Sequence, residues 1–304
     1  MTARLVVLRA LGLGDFLTAV PALRALAVAF PDHQRLLLAP AWLEPLAALL
    51  DGAVDEIVDV EGRAAVPSAL PPVAHGAEVA VNLHGRGPQS TELLRAKAPG
   101  WLVSFGLGGG PAWRDGEHEV ARWCRLLTES DIPADPAALD LDPPPGTSRH
   151  GATVLHPGAA APARRWPVER WAAVARAERA AGRDVVVTAG PGEEEAARSV
   201  AAVAGLPADR VHAGGDLADL ARRVAGAGRV ACADTGVAHL ATALRVPSVV
   251  LFGPTPPAEW GPPPGRAEHR VLWAGRRGDP NGAAPDPGLL EIEPAAVAAE
   301  LAAL

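Results

Sequence analysis

The 304-residue chain carries 28 Lys and Arg against 35 Asp and Glu, a formal net charge of −7, with 49% hydrophobic and 21% charged residues. This is the balance of a folded globular protein, and it excludes a nucleic-acid-coating surface, which needs a strongly basic face. The length exceeds one ordinary core and suits two domains of about 150 residues.

In chain order, RLVVLR (4–9) is a short apolar run that predicts a strand, followed by the glycine loop ALGLGD (10–15). The segment 16–30 has helical periodicity, with Pro21 inside it predicting a kink or a late helix start and Pro31 ending it. RLLLA (35–39) reads as a strand, AWLEPLAALL (41–50) as a helix, and DEIVDV (55–60) and EVAVNL (78–83) as further strands. Strands alternating with helices imply a parallel, doubly wound sheet. The Pro- and Asp-rich stretch 131–146, with three consecutive prolines, reads as the linker.

The pattern then restarts. ATVLHPG (152–158) predicts a strand entering a loop, 166–182 a helix, DVVVTAGPG (184–192) a strand into a glycine loop, and 193–205 a helix with acidic residues in its first turn. Helix 216–228, strand 229–234, helix 235–245 and strand 247–253 complete a second doubly wound domain, after which the Pro/Gly-rich stretch to Gly288 reads as irregular and the last residues as a helix. The expected domains are therefore 1–142, 147–290, and a C-terminal helix 291–304 that packs back on the first. Two open sheets in tandem leave a cleft at their carboxyl edges, where ligands of such folds bind.

Three motifs carry chemistry. In ADTGVAHLATALRVPSVVLFGPTPP (233–257), a strand ends at Asp234 and a helix opens at Thr235–Gly236. Free amides at a helix N-terminus bind phosphate, Gly236 permits close approach, Thr235 adds a hydroxyl, and His239 follows one turn on. Gly253 and Thr255 emerge from the next strand at the same edge. The structural alternative is a helix with Asp234 as its N-cap. In HPGAAAPARRWPVERW (156–171), the loop at Gly158–Ala159 offers amides to a diphosphate, and Arg164 and Arg165 add cations; a solvated basic turn is the bland alternative. In GLGDFLTAVPALRAL (12–26), Gly12 and Gly14 make a tight turn and Asp15 opens a helix, either as a cap or as a general base. The dinucleotide fingerprint fails here, because its third glycine position holds Leu17.

The three motifs, in this order, resemble the signatures of glycosyltransferase family 9, the ADP-heptose:lipopolysaccharide heptosyltransferases. The resemblance spans Leu5 to about Pro257. It implies the glycosyltransferase-B architecture, two doubly wound Rossmann-like domains facing a cleft, and metal-independent inverting transfer of a sugar, heptose favoured, from a nucleoside diphosphate to a glycan, glycolipid or small-molecule hydroxyl. It makes Asp15 the base. It assigns donor binding to Gly14, Gly158, Ala159, Arg164, Glu193, Asp234, Thr235, Gly236 and His239. The family usually has Lys where this chain has Arg164, and Glu193, Glu194 and Glu195 leave the ribose-contacting register open. No cofactor is expected beyond the donor, ADP-heptose by the resemblance, which is a substrate.

Other features carry less. Asp140 and Asp142 form a DxD, but in the Pro-rich linker rather than after a donor-domain strand, so no metal is expected. His84, Arg86 and Gln89 follow a strand and are acceptor-contacting or merely surface-exposed. Cys124 and Cys232 lack metal spacing and read as buried residues of a reducing compartment. Arg9 and Asp15 interrupt the N-terminal apolar run, so no secretory signal is expected, and no run reaches the roughly 18 apolar residues of a membrane span. A cytoplasmic protein, with peripheral membrane contact open, is the expectation. The competing readings are a sugar-nucleotide epimerase of the same architecture, a dinucleotide oxidoreductase, and a non-catalytic nucleotide-sugar-binding protein.

Overall fold

The computed structural model describes residues 2–61, 66–107 and 110–304. The chain divides into two compact units, Met1–Leu139 and Asp140–Leu304. Asp140 and Leu141 belong to the second unit because the Arg266 guanidinium donates to Asp140 at 2.5 Å and the Leu141 N–H donates to the Ala243 carbonyl at 2.7 Å.

The N-terminal unit runs β1 (Arg4–Leu8), α1 (Leu13–Thr18), α2 (Val20–Ala29), β2 (Gln34–Ala39), α3 (Glu44–Ala47), β3 (Glu56–Asp59), β4 (Val79–Asn82), α4 (Gln89–Arg95), β5 (Trp101–Val103) and α5 (Glu119–Thr128). Its sheet has the order β3-β2-β1-β4-β5, parallel throughout. Buried on both faces, the central strands read as unbroken apolar runs: LVVL closes β1 and LLLA closes β2. The helical segment 16–30, in which Pro21 predicts a kink or a late start, is two helices, the second starting at Val20. The chain breaks at Ala19, and Pro21 sits in the first turn of α2, where its missing N–H costs nothing.

The C-terminal unit runs β6 (Thr153–His156), α6 (Val168–Ala180), β7 (Val185–Thr188), α7 (Glu194–Ala204), β8 (Val211–His212), α8 (Leu217–Gly226), β9 (Arg229–Ala233), α9 (Gly236–Ala243), β10 (Ser248–Phe252), α10 (Pro257–Trp260), β11 (His269–Trp273), α11 (Pro287–Leu290) and α12 (Pro294–Ala302). Its parallel sheet has the order β11-β10-β9-β6-β7-β8. The stretch expected to be irregular thus contains β11, which extends the sheet by pairing with β10 from Ser248↔His269 to Phe252↔Trp273. The polar residues His269 and Arg270 and the flanking glycines and prolines hide it from a pattern reading. The C-terminal helix is also a correction. α12 buries Val297 and Leu301 in the core of its own unit, with Trp171 of α6 and Leu251 of β10.

Strand order reverses between β1 and β4 in the first unit and between β6 and β9 in the second. At such a switch point adjacent connections leave to opposite faces, opening a crevice at the carboxyl ends. The glycine-rich loops after β1, β6 and β9 all start at these two places. No helix among the described residues is long and apolar enough to cross a membrane.

Candidate active site

In the C-terminal unit, the loops after β6 and β9 flank the switch point. α9 starts with Thr235 as N-cap, extended at φ −145°, and no side chain caps it. The Ala238 N–H turns back to the Thr235 carbonyl at 3.0 Å, and no side chain takes the amides at the start of the helix, Gly236 among them, which suits them to water or an anion. The N-cap reading of Asp234 is not realised. Asp234 is the residue before the cap, and its side chain is buried.

Arg164 crosses to this loop from a short 3₁₀ turn, Pro162–Arg164, donating to the Asp234 carbonyl at 3.0 Å and lying 4.0 Å from its carboxylate. Its Nε is buried and has no hydrogen-bond partner. Two tryptophans hold the turn. Trp166 packs edge-on against Trp171 of α6 at 5.0 Å between ring centroids, and both are buried. The WP motif thus anchors the segment that carries Arg164. Burial raises the Asp234 carboxyl to about 6, against the pull of Arg164.

The acidic triplet resolves. Glu193, just before α7, turns inward: its carboxylate accepts the Gly190 N–H at 3.0 Å and lies 3.3 Å from His156 Nε2, while His156 Nδ1 meets Thr188 Oγ1 at 3.0 Å. Burial raises the Glu193 carboxyl, but the His156 hydrogen bond, the Gly190 amide and the Arg165 charge more than offset it and leave it below its usual value. Glu194 and Glu195 lie in the first turn of α7, where the helix dipole favours them. The same geometry explains Gly158: a Cβ there would sit 2.0 Å from a Glu193 carboxylate oxygen. Ala159 is buried, and its carbonyl accepts Arg165 Nε at 2.9 Å, which spends that cation on its own loop. His239 stacks edge-on against Trp260 at 5.8 Å. Gly253 sits under Leu289 and Asp286, and its carbonyl accepts Trp273 Nε1 at 3.1 Å, so this loop is packed in place by the segment after β11.

In the N-terminal unit, Gly12 caps α1, Gly14 lies in its first turn, and Asp15 follows. Arg9, at the end of β1, is buried beneath them. It donates Nε to the Asp15 carbonyl at 2.9 Å and Nη2 to Thr18 Oγ1 and Glu119 at 3.1 Å each, bonds the Leu83 carbonyl after β4, and stacks over Trp123 at 4.7 Å. Its Nη2 also reaches an Asp15 carboxylate oxygen at 3.5 Å. Burial raises the Asp15 carboxyl above its usual value. Arg9 opposes that, Glu119 adds to it, and the Gly12 and Asp15 amides oppose it. Sequence reasoning treated Arg9 as an interruption and did not place Glu119 at all. The amphipathic run EVARWCRLL was the available signal for α5.

His84, after β4, is buried, whereas Arg86 and Gln89 are exposed. Asp140 of the DxD is committed to Arg266, with Arg245 at 3.8 Å. Among the described residues, no group of three His, Cys, Asp or Glu is placed to hold a metal ion. Both cysteines are buried, and burial raises both thiols, as expected for packing residues.

The sequence profile of glycosyltransferase family 9 (heptosyltransferase) matches residues 114–281. That is more than half of the chain, which therefore belongs to this family. The match contains the second and third motifs; the first, with Asp15, lies outside it. Lipopolysaccharide heptosyltransferase 1 of Pseudomonas aeruginosa is 33% identical over 163 residues, 49% of this chain and 43% of that protein, so the match spans less than half the length of this curated relative. Among solved structures, the chain resembles ADP-heptose lipopolysaccharide heptosyltransferase II of E. coli, with TM-score 0.77, 21% identity and coverage of 99% and 98% of the two chains. It also resembles an E. coli heptosyltransferase solved with ADP, with TM-score 0.67, 20% identity and 99% of each chain covered. The fold is accordingly that of the glycosyltransferase-B enzymes.

Proposed function

We propose that the protein is an inverting glycosyltransferase that moves a sugar from a nucleoside diphosphate, with ADP-heptose the favoured donor, to a hydroxyl of a glycan, glycolipid or small molecule. The C-terminal unit holds the diphosphate. The amides at Thr235–Gly236 and the Arg164 guanidinium face the charge that grows on the leaving group as the glycosidic bond breaks, and fixed donors of this kind are the largest contributors to such reactions. No metal is needed in this reading, because a guanidinium and a helix N-terminus already supply the positive charge. Glu193, held by His156 and the Gly190 amide, accepts ribose hydroxyls in this reading. The N-terminal unit supplies the base: Asp15 takes the proton of the acceptor hydroxyl as its oxygen attacks the anomeric carbon. A carboxyl whose basicity is raised by burial is better suited to that step than an ordinary surface aspartate.

The observation that carries this reading is the family match over the Arg164 and Asp234 motifs, combined with an uncapped α9 and a buried, unpartnered Arg164 Nε at the switch point. The E. coli heptosyltransferase solved with ADP supports adenosine diphosphate as the donor's nucleotide part. Lipopolysaccharide synthesis is the context its relatives' names suggest. The reading places the reaction in the cytoplasm, where nucleotide sugars are made.

The test is Asp15→Asn. Donor binding, followed by thermal shift with ADP, stays within about twofold of wild type, since Asp15 lies on the other unit; ligand binding raises native stability in proportion to RT ln(1 + [L]/Kd). Sugar release from ADP-heptose to acceptor falls by about 10²–10⁴-fold. Full transfer by this variant would remove the base assignment. An epimerase would instead convert the donor with no acceptor present.

A further inference from the structure

We propose that Glu119 is a positioning residue for Asp15, acting through Arg9: it pins the guanidinium beneath the α1 loop and cancels its charge, so that the carboxylate stays free to serve the acceptor. The proposal rests on the reading of Asp15 as the base.

Geometry comes first. Arg9 is 1% exposed, and a buried, isolated guanidinium is costly. Its guanidinium donates from Nη1 to the Leu83 carbonyl, from Nε to the Asp15 carbonyl, and from Nη2 to Thr18 and Glu119, with Trp123 closing one face of the plane. The Asp15 carboxylate receives only the remaining long contact, 3.5 Å. Had the guanidinium met Asp15 as a forked pair, the carboxylate would be an anchored, weakly basic anion. Glu119 instead takes the shorter ion-pair contact, through one oxygen at 3.1 Å.

Glu119 is itself fixed on every side. One oxygen accepts Arg9 at 3.1 Å and the Trp123 indole N–H at 2.9 Å, and the other accepts the Arg122 guanidinium. Arg122 stacks over Trp113 at 4.2 Å and bonds the Glu117 carbonyl at 2.9 Å. Glu119 opens α5, so its placement follows from where that helix starts. The charges acting on Asp15 are Arg9, from the end of β1, and Glu119, from the first turn of α5; Arg122 and Glu117 stand behind Glu119. The amide donors to Asp15 are its own N–H and that of Gly12.

The experiment follows the Asp15 carboxyl carbon by ¹³C NMR titration of the full-length protein, with the signal assigned by its loss in Asp15→Asn. Glu119→Gln keeps the shape and the acceptor for Arg9 but removes the negative charge, so the Asp15 midpoint moves down by about half a pH unit or more. Arg122→Gln removes the far cation and moves it up. Opposite shifts from neighbours in one ion pair are not produced by loosened packing, which affects both variants alike, and Glu119→Asp restores most of the wild-type midpoint. If Glu119→Gln does not fold, the upward shift in Arg122→Gln carries the test. An unmoved midpoint in the folded Glu119→Gln protein, or shifts of the same sign in both variants, would overturn the proposal. Failure of the underlying reading looks different: there Asp15→Asn retains sugar transfer, whatever the titration shows.

Discussion

The Asp15 corner of the N-terminal unit and the Arg164–Asp234 corner of the C-terminal unit use the same two groups in inverted order. Each lies beside the switch point of a parallel sheet, and each pairs one carboxylate with one arginine at long range, 3.5 Å and 4.0 Å. In the first, the cation is buried at 1% side-chain exposure and the carboxylate is presented at 29%. In the second, the carboxylate is buried at 7% and the cation is presented at 26%. In the proposed reading, one unit offers a base and the other a positive charge to an anion. Two open parallel sheets that share a reversal of strand order, one of five strands and one of six, therefore differ in which member of an ion pair is turned inward. That division is what a displacement reaction needs, since it creates a proton to remove at one end and a phosphate charge to stabilise at the other.

The comparison breaks most sharply if the presented cation is removed. Arg164→Ala is expected to lower turnover by about 10²–10³-fold, the range seen when one fixed donor to a developing charge is deleted. On the proposed reading it also weakens ADP binding, because the same guanidinium would face the ground-state diphosphate. Arg164→Lys restores the charge but not the planar fork, and recovers only part of the loss. Steady-state kinetics with an ADP-sugar, alongside an ADP thermal shift, check this. Equal turnover in wild type and Arg164→Ala would mean that the cation at this corner is structural.

Next in size is Gly158→Ala, which sharpens the C-terminal half. The added methyl would fall 2.0 Å from the Glu193 carboxylate, so either the loop after β6 or Glu193 must move. Overpacking of this kind costs about 1–3 kcal/mol. Urea unfolding gives the number. Combining the change with Glu193→Ala, which removes the collision partner, is expected to recover most of that stability while leaving donor affinity low. Additive destabilisation in the double variant would show that Gly158 is needed for another reason.

The inversion was half legible in the sequence. Arg164, Asp234 and the opening of α9 sit within contiguous motifs, and Asp15 follows its own glycine loop, so local pattern was enough to single them out. The strands of both sheets were legible for the same reason: buried parallel strands are unbroken apolar runs, such as LVVL and VVVT. What escaped was long-range. Nothing near Arg9 indicates that its partner stands 110 positions away at Glu119. Equally, the three consecutive glutamates at 193–195 look alike until the approach of Gly158 and His156 selects Glu193. β11 escaped because an edge strand containing His269 and Arg270 lacks the apolar continuity of its neighbours. The C-terminal helix was misplaced because its apolar stripe says that it must pack, but not on what.

The smallest expected effect concerns the buried member of the C-terminal pair, and it tests the sign of the inversion. The Asp234 carboxyl stands at about 6 in the folded protein against an ordinary 3.8, because burial penalises the anion more than Arg164 rewards it. A folded-state value raised above the unfolded one means that, between about pH 4 and 6, the native state holds the proton more tightly. The contribution of this group to stability is therefore greatest below pH 4, falls as pH rises through that window, and is a constant cost above it. Asp234→Asn removes the penalty while keeping an acceptor for Arg164, so at pH 7.5 the variant is expected to be more stable than wild type by on the order of 1–2 kcal/mol. Below pH 4 the difference vanishes, since both proteins are then neutral at this position. Urea unfolding of the two proteins at pH 7.5, 5 and 3.5 reads the difference directly and cancels the titration of every other carboxylate. A variant less stable than wild type at pH 7.5 would mean that the pair is a stabilising salt bridge, and that Asp234 rather than Arg164 is the group this corner was built to hold in its charged form.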